Sequence, residues 1–428
     1  MTISQSKNSL PGPDNVTRGV LDNGITVLVR ENHAAPVAVI EGCLPAGALH
    51  DRAGKTGLSS FVTSMLTRGS AHYDFDTFNE TIESIGASLG VGTDTDATHF
   101  SVTSLSEDFP TMVAVLADVL RRPTFPTEHI ERLRGQKLVR LQEREQDTQQ
   151  VASRHFYAAM YGDHPYGRPT AGYPETISTI GRDDLVDFYT RYYTPNGAII
   201  VVVGDVQTDA VLTLLNQQVG DWQGALADSA VPPVPPHRET QQQRYTLTGK
   251  VQADLMLGCL AVARDHPDFY AVRVANTILG QFGMMGRLGE QVREEQGLAY
   301  YCGSSLDTEA MAGAWVASAG VNPVSVDQAI DSILAEFERL GSTPVDAEEL
   351  KDSQDYLTGV LPLTLETNDG VASVLLNIER HGLGLDYLHR YSGLIYSITP
   401  ADVQRVAHEY LRTDNYTLVV AGPAAEEA

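Results

Sequence analysis

The chain has 428 residues, 42% of them hydrophobic, which is enough to bury two or more cores. Its 30 Lys and Arg against 55 Asp and Glu leave a net charge of −25. That balance disfavours nucleic acid or anionic membrane as a partner, and it suits either basic peptides or simple solubility. In chain order, the opening MTISQSKNSLPGPDNVT lacks both the apolar core of a secretory signal and the arginines of an amphipathic transit peptide. No later run reaches the roughly 18 apolar residues that span a bilayer. Cys43, Cys259 and Cys302 show no paired spacing and no CxxC, so buried thiols in a reducing, cytoplasmic setting are expected.

Residues 43–51, CLPAGALHD, read as a strand in which Ala46, Gly47 and Ala48 allow close backbone approach. Residues 57–70, GLSSFVTSMLTRGS, read as a helix. Leu58, Phe61, Val62, Met65 and Leu66 recur at i, i+3, i+4, i+7 and i+8 and form its apolar face. Ser60, Thr63, Ser64 and Thr67 gather on the other side. Ser60 and Ser64 stand one turn apart with Thr63 beside them, the spacing at which two histidines and a glutamate hold and use a zinc ion. Here each of the three is a hydroxyl.

The two halves of the chain repeat one pattern. IGRDDLVDFYTRYYTPNGAIIVVVG (180–204) aligns without a gap on ITPADVQRVAHEYLRTDNYTLVVAG (398–422), each a capped amphipathic helix, a turn and a β-branched strand. Residues 112–133 match 329–350 as helix, Pro-containing turn and next helix; 85–105 match the stretch from Gln296 onward as strand hairpins. Between the halves, residues 224–243 are rich in Pro, Ala and Gln and read as an extended linker. The expected architecture is α+β: two homologous domains, 14–223 and 244–425, from internal duplication, each an antiparallel-rich sheet with helices on one face.

In the second half, the loop 279–289, LGQFGMMGRLG, is glycine-rich and lacks the G-K-[ST] of a phosphate loop. The following helix ends at a C-cap near Gln296 and Gly297, so Arg293 falls in its last turns and Tyr300 at the start of a strand. Residue types alone allow an arginine resting on the acidic neighbours Glu290, Glu294 and Glu295, and a core tyrosine. None of the twelve histidines stands three or four residues from another, so no helical turn offers a histidine pair to a metal.

These motifs, in this order, resemble the pitrilysin-type metallopeptidases, or inverzincins, and within them the processing-peptidase branch. The resemblance rests on LDNGITVLVRENHAAPVAVIEGCLPAGALHD, AGKTGLSSFVTSMLTRGS, ADVLRRPTFPTEHIERLRGQKLVRLQE, HPYGRPTAGYPETISTIGRDDLVDFYTRYYTPNGAIIVVVGDV and GRLGEQVREEQGLAYYCGSS. It implies that Ser60, Thr63 and Ser64 replace an H-x-x-E-H zinc helix, with Glu143 left at the third ligand position and Gln136 replacing a helper glutamate. A serine hydroxyl is a poor zinc ligand and threonine is no base near pH 7, so no metal is expected in this chain.

By the same resemblance, Arg293 and Tyr300 would engage substrate carbonyls and the tetrahedral intermediate, and Ala46, Gly47 and Ala48 would lie on a strand that takes extended substrate by edge pairing. The implied role is a zinc-free subunit of a heterodimeric zinc endopeptidase acting on unfolded peptides, with zinc in a homologous partner. The alternative is an inactive peptide-binding or scaffold homologue, self-paired as a homodimer.

Overall fold

The two aligned segments fold alike, and the cause is local. Asp184 accepts the N–H of Gly181 at 2.8 Å, Asp402 accepts that of Thr399 at 3.0 Å, and each carboxylate so caps a helix N-terminus. An 11-residue helix and a six-residue strand follow in both.

A computed structural model describes residues 10–227, 231–236, 239–308 and 310–424. The first half runs β1 (Thr17–Val20), β2 (Thr26–Glu31), β3 (Val37–Leu44), α1 (Leu58–Leu66), α2 (Phe75–Ser84), β4 (Ser88–Thr93), β5 (Thr98–Leu105), α3 (Phe109–Arg121), α4 (Thr127–Arg144), α5 (Thr148–Tyr161), α6 (Pro174–Thr179), α7 (Arg182–Tyr192), β6 (Ile199–Gly204) and α8 (Thr208–Val219). The second runs β7 (Gln241–Thr246), β8 (Ala253–Ala261), α9 (Phe269–Asn276), β9 (Ala299–Thr308), β10 (Gly313–Val321), α10 (Val326–Ser342), α11 (Ala347–Thr364), α12 (Asn368–Arg380), α13 (Tyr387–Tyr396), α14 (Pro400–Tyr410) and β11 (Thr417–Gly422). The expected linker 224–243 lies partly outside the described residues; its described part carries no helix or strand before β7.

The first sheet has the order β1-β2-β6-β3-β5-β4 and the second β7-β11-β8-β10-β9. Setting β1 aside, the two orders are the same strand for strand. So are the directions: β2–β6 and β7–β11 are parallel, and the other equivalent pairs are antiparallel. The duplication expected from sequence is therefore a duplication of topology. Every residue of β11 is buried, and all of β6 but Ile199, so both faces of these strands are covered. That is why they read as continuous apolar runs rather than alternating ones.

The expected contiguous domains differ from the observed units by a reciprocal exchange. The first unit takes in the chain up to Val139, then Pro169–Val231 and Pro362–Arg390; the second takes in Arg140–Arg168, Pro232–Leu361 and the chain from Tyr391 onward. In the second unit, α5 lays Val151, Ala152, Phe156 and Met160 on β8 and β11. In the first, α12 buries Val371, Ala372, Leu375 and Ile378 and packs on β3 and β6. It is pinned there by the Arg18–Glu379 ion pair at 2.8 Å and by Arg380 beside Asp94 at 3.5 Å. An apolar helix face fits either of two similar sheets, which is why sequence pattern alone placed each helix with its own half. Among the described residues no helix is long and apolar enough to cross a membrane.

Candidate functional site

Helix α1 starts where Gly57 adopts φ 94°, and its orphan N–H groups meet a buried carboxylate. Asp51 accepts from Gly57 N–H at 2.7 Å and from Ser59 N–H at 2.8 Å. Leu58, Phe61, Val62, Met65 and Leu66 are all fully buried, so the apolar face read from the sequence is the face that packs. The helix lies against α7 and β4.

Burial pushes the Asp51 carboxyl up to about 7, against the pull of its backbone donors. In the unfolded chain such a group titrates near ~3.9. Between those values the folded chain keeps a proton that the unfolded chain has released, so this group's contribution to stability falls as pH rises from about 4 to about 7. Asp51→Asn is expected to remove that part of the slope, read by urea unfolding of both chains at about pH 4.5 and about pH 7.5. Parallel slopes for wild type and variant would show the carboxyl to be ionised across the whole range.

The hydroxyls of Ser60, Thr63 and Ser64, on the other side of α1, are each engaged. Ser64 Oγ donates to the Ser60 carbonyl at 2.7 Å. Lys137, on α4, donates from Nζ to Ser60 Oγ at 2.9 Å and to the Ser60 carbonyl at 3.3 Å. Thr63 is buried, with Oγ1 3.0 Å from Tyr193 OH and 3.4 Å from Thr98 Oγ1. Tyr193 OH is 3.0 Å from Thr98 Oγ1, which donates to the Ala46 carbonyl at 2.9 Å. Each hydroxyl has one proton, so the order of donation runs Thr63 to Tyr193 to Thr98 to Ala46. Burial pushes the Tyr193 phenol up to about 12, and nothing in this chain of hydroxyls accepts a proton near neutral pH.

Zinc needs imidazole, thiolate or carboxylate donors. The site offers hydroxyls already committed to other partners, and an ammonium rests on Ser60 Oγ. Among the described residues no group of three or more His, Cys, Asp and Glu could hold a metal ion. The donor set does not fit zinc. Glu143 is exposed on the last turn of α4 and stands about 120° around the helix from Lys137, so the two do not share a face. Gln136 is exposed as well. Sequence reading fixed on Glu143 and passed over Lys137, whose only signal was a long cationic side chain beside Gln136.

Ala46, Gly47 and Ala48 are not at a sheet edge. β3 lies between β6 and β5, and the three residues follow its end. Ala46 and Ala48 are buried; Ala48 N–H donates to the Asp94 carbonyl at 3.0 Å and Leu49 N–H to that of Thr95 at 2.8 Å. A Cβ on Gly47 would come within 2.3 Å of the Thr95 carbonyl oxygen, so close approach is indeed needed, but by the chain's own loop. The edge beside α1 is β4, which pairs with β5 alone. Its sequence SLGVGT alternates exposed and half-buried, with the exposed Gly90 and Gly92 leaving its backbone uncovered by side chains.

In the second unit the expected C-cap is present. Gly297 has φ 63° and donates to the Arg293 carbonyl at 3.1 Å, and Leu298 N–H reaches the Val292 carbonyl at 3.0 Å. The segment that ends there, Gly289–Glu295, is π-helical, as is Thr277–Gln281, and the glycine-rich loop joins the two. Such turns are rare and often mark functional places. Arg293 is 39% exposed with Nε 3.7 Å from Glu294, a loose version of the acidic contact read from sequence. Tyr300 is 63% exposed at the start of β9, an edge strand, which rules out a core tyrosine.

Comparison with known proteins agrees with this fold. Residues 26–173 match the profile of the insulinase peptidases (peptidase family M16), and residues 179–357 that of the peptidase M16 inactive domain. An uncharacterized zinc protease of Mycobacterium leprae is 28% identical over 424 residues, covering 96% of this chain and 93% of that protein. The mitochondrial-processing peptidase subunit beta of Mus musculus is 26% identical over 416 residues, 94% of this chain and 83% of that one. Among solved structures, a peptidase M16 inactive domain from Pseudomonas fluorescens superposes with a TM-score of 0.88 at 25% identity, over 96% of this chain and 98% of that one. A protease from Helicobacter pylori shares the fold with a TM-score of 0.89 at 20% identity, over 97% and 100%.

Proposed function

The chain belongs to the M16 peptidase family, and from that premise we propose that it is a zinc-free member that binds extended, unfolded peptide and works as the partner of a zinc-bearing homologue, as one subunit of a processing-peptidase-like pair. The observation that carries this reading is the filling of the zinc helix: an ammonium on Ser60 and a closed run of hydroxyls from Thr63. Neither a metal-bound water nor a general base can arise from those groups. The edge strand β4 supports the peptide part, since an extended chain can add to it through main-chain hydrogen bonds. A net charge of −25 favours basic peptides. Arg293 and Tyr300, both accessible, are the donors this chain would bring to a carbonyl held at the partner's metal.

The test is zinc content and hydrolysis of an unfolded basic peptide by the chain alone, by a zinc-bearing M16 homologue from the same source alone, and by the two together. The chain alone is expected to carry no zinc and to cleave nothing, while the mixture sediments as a pair and cleaves faster than the homologue alone. Stoichiometric zinc or turnover in the isolated chain would overturn the reading. Assembly and peptide binding with no gain in rate, or self-pairing without the homologue, would favour the scaffold role.

A further inference from the structure

Lys137 does more at this site than occupy space. Its ammonium reaches both polar atoms that Ser60 presents, Oγ at 2.9 Å and the carbonyl at 3.3 Å, and it lies 5.6 Å from the centre of the Phe61 ring. Arg134, one turn earlier on α4, brings its guanidinium to 5.6 Å from the same ring and is anchored to Glu131 at 3.0 Å and to the Ile177 carbonyl at 2.5 Å. Lys137 therefore sets its charge on position 60 while Arg134 stays over the Phe61 ring, and Lys137 is only partly exposed, so solvent screens it incompletely.

We infer that Lys137 is a metal-excluding residue: with its charge held on position 60, putting histidines back at 60 and 64 does not by itself make this helix a zinc site. A metal bound through position 60 would come within a few ångströms of Nζ, and like charges at that range repel strongly where water is partly shut out. The inference rests on the zinc-free reading above, but it fails on a different measurement. Zinc in the wild-type chain sinks that reading, whereas this one depends on the reverted chain.

The experiment compares zinc affinity, by competition with a chromophoric chelator, in three variants of the full chain. One carries Ser60→His and Ser64→His. The others add Lys137→Met or Lys137→Gln, two neutral replacements; glutamine keeps a donor for the residue 60 carbonyl in case methionine does not fold, and circular dichroism verifies folding. Removing the charge is expected to tighten zinc binding at least about tenfold over the histidine pair alone. Equal affinity with and without Lys137 in a folded neutral variant would overturn the inference, as would tight stoichiometric zinc in the histidine pair that retains Lys137.

Discussion

If the proposed pairing with a zinc-bearing homologue holds, replacing Tyr300 by phenylalanine is expected to slow peptide cleavage by that pair about 10²–10³-fold, roughly 2.7–4 kcal/mol, the usual loss when one oxyanion donor is removed. Assembly should be untouched, because the change deletes a hydroxyl from a ring that is 63% exposed and leaves the ring itself in place. Arg293→Lys should also be harmful, since an ammonium cannot reproduce the planar two-donor fork of a guanidinium. Both residues flank the turn at Gly297, one at a helix end and the other at the start of an edge strand. The measurement is single-turnover cleavage alongside sedimentation of the same samples. A Tyr300→Phe pair that assembles and cleaves at the wild-type rate would make the exposed phenol irrelevant to chemistry and leave catalysis wholly to the homologue.

What the sequence made legible was whatever the chain decides locally. The helix and strand of 180–204 and 398–422 carry their own caps, Asp184 and Asp402, and their own apolar runs, so they could be aligned and their structure foreseen. The apolar face of α1 follows from a 3.6-residue period and is the face that is buried. Residue type alone likewise denies Ser60, Thr63 and Ser64 the chemistry of zinc ligand and base. The partners their hydroxyls take were not legible. Lys137 lies 77 positions from Ser60, and no local pattern says where a flexible four-carbon stem will set its charge. Tyr193 and Thr98 join Thr63 from two other elements for the same reason. The place of Ala46, Gly47 and Ala48 was misread because strand order is a long-range property: small residues signal close approach, and they do not say whether a ligand or the chain's own loop approaches.

The exchange of α5 and α12 gives the strongest test of how the fold is held together. Phe156 sits in the first half of the sequence but is fully buried among Val316, Val419 and Ala421, in the second unit. Phe156→Ala is therefore expected to cost about 3–5 kcal/mol through lost burial and a cavity that the packed sheet cannot collapse into. The damage should fall on the unit that holds the ring. In native-state hydrogen exchange, amides of β8, β10 and β11 should lose protection while those of β2, β3 and β6 keep theirs. Two contiguous domains would give the opposite map, since residue 156 would then support the first sheet. A variant that loosens β2, β3 and β6 and spares the second sheet would refute the exchange. The expected map has a corollary for dissection at the linker: a fragment of the first half alone would lack α12, with its buried Leu375 and Ile378, and would carry α5 with no sheet to cover. Each half thus needs a helix encoded in the other, so the duplicated architecture should unfold on separation even though each sheet has a complete set of strands.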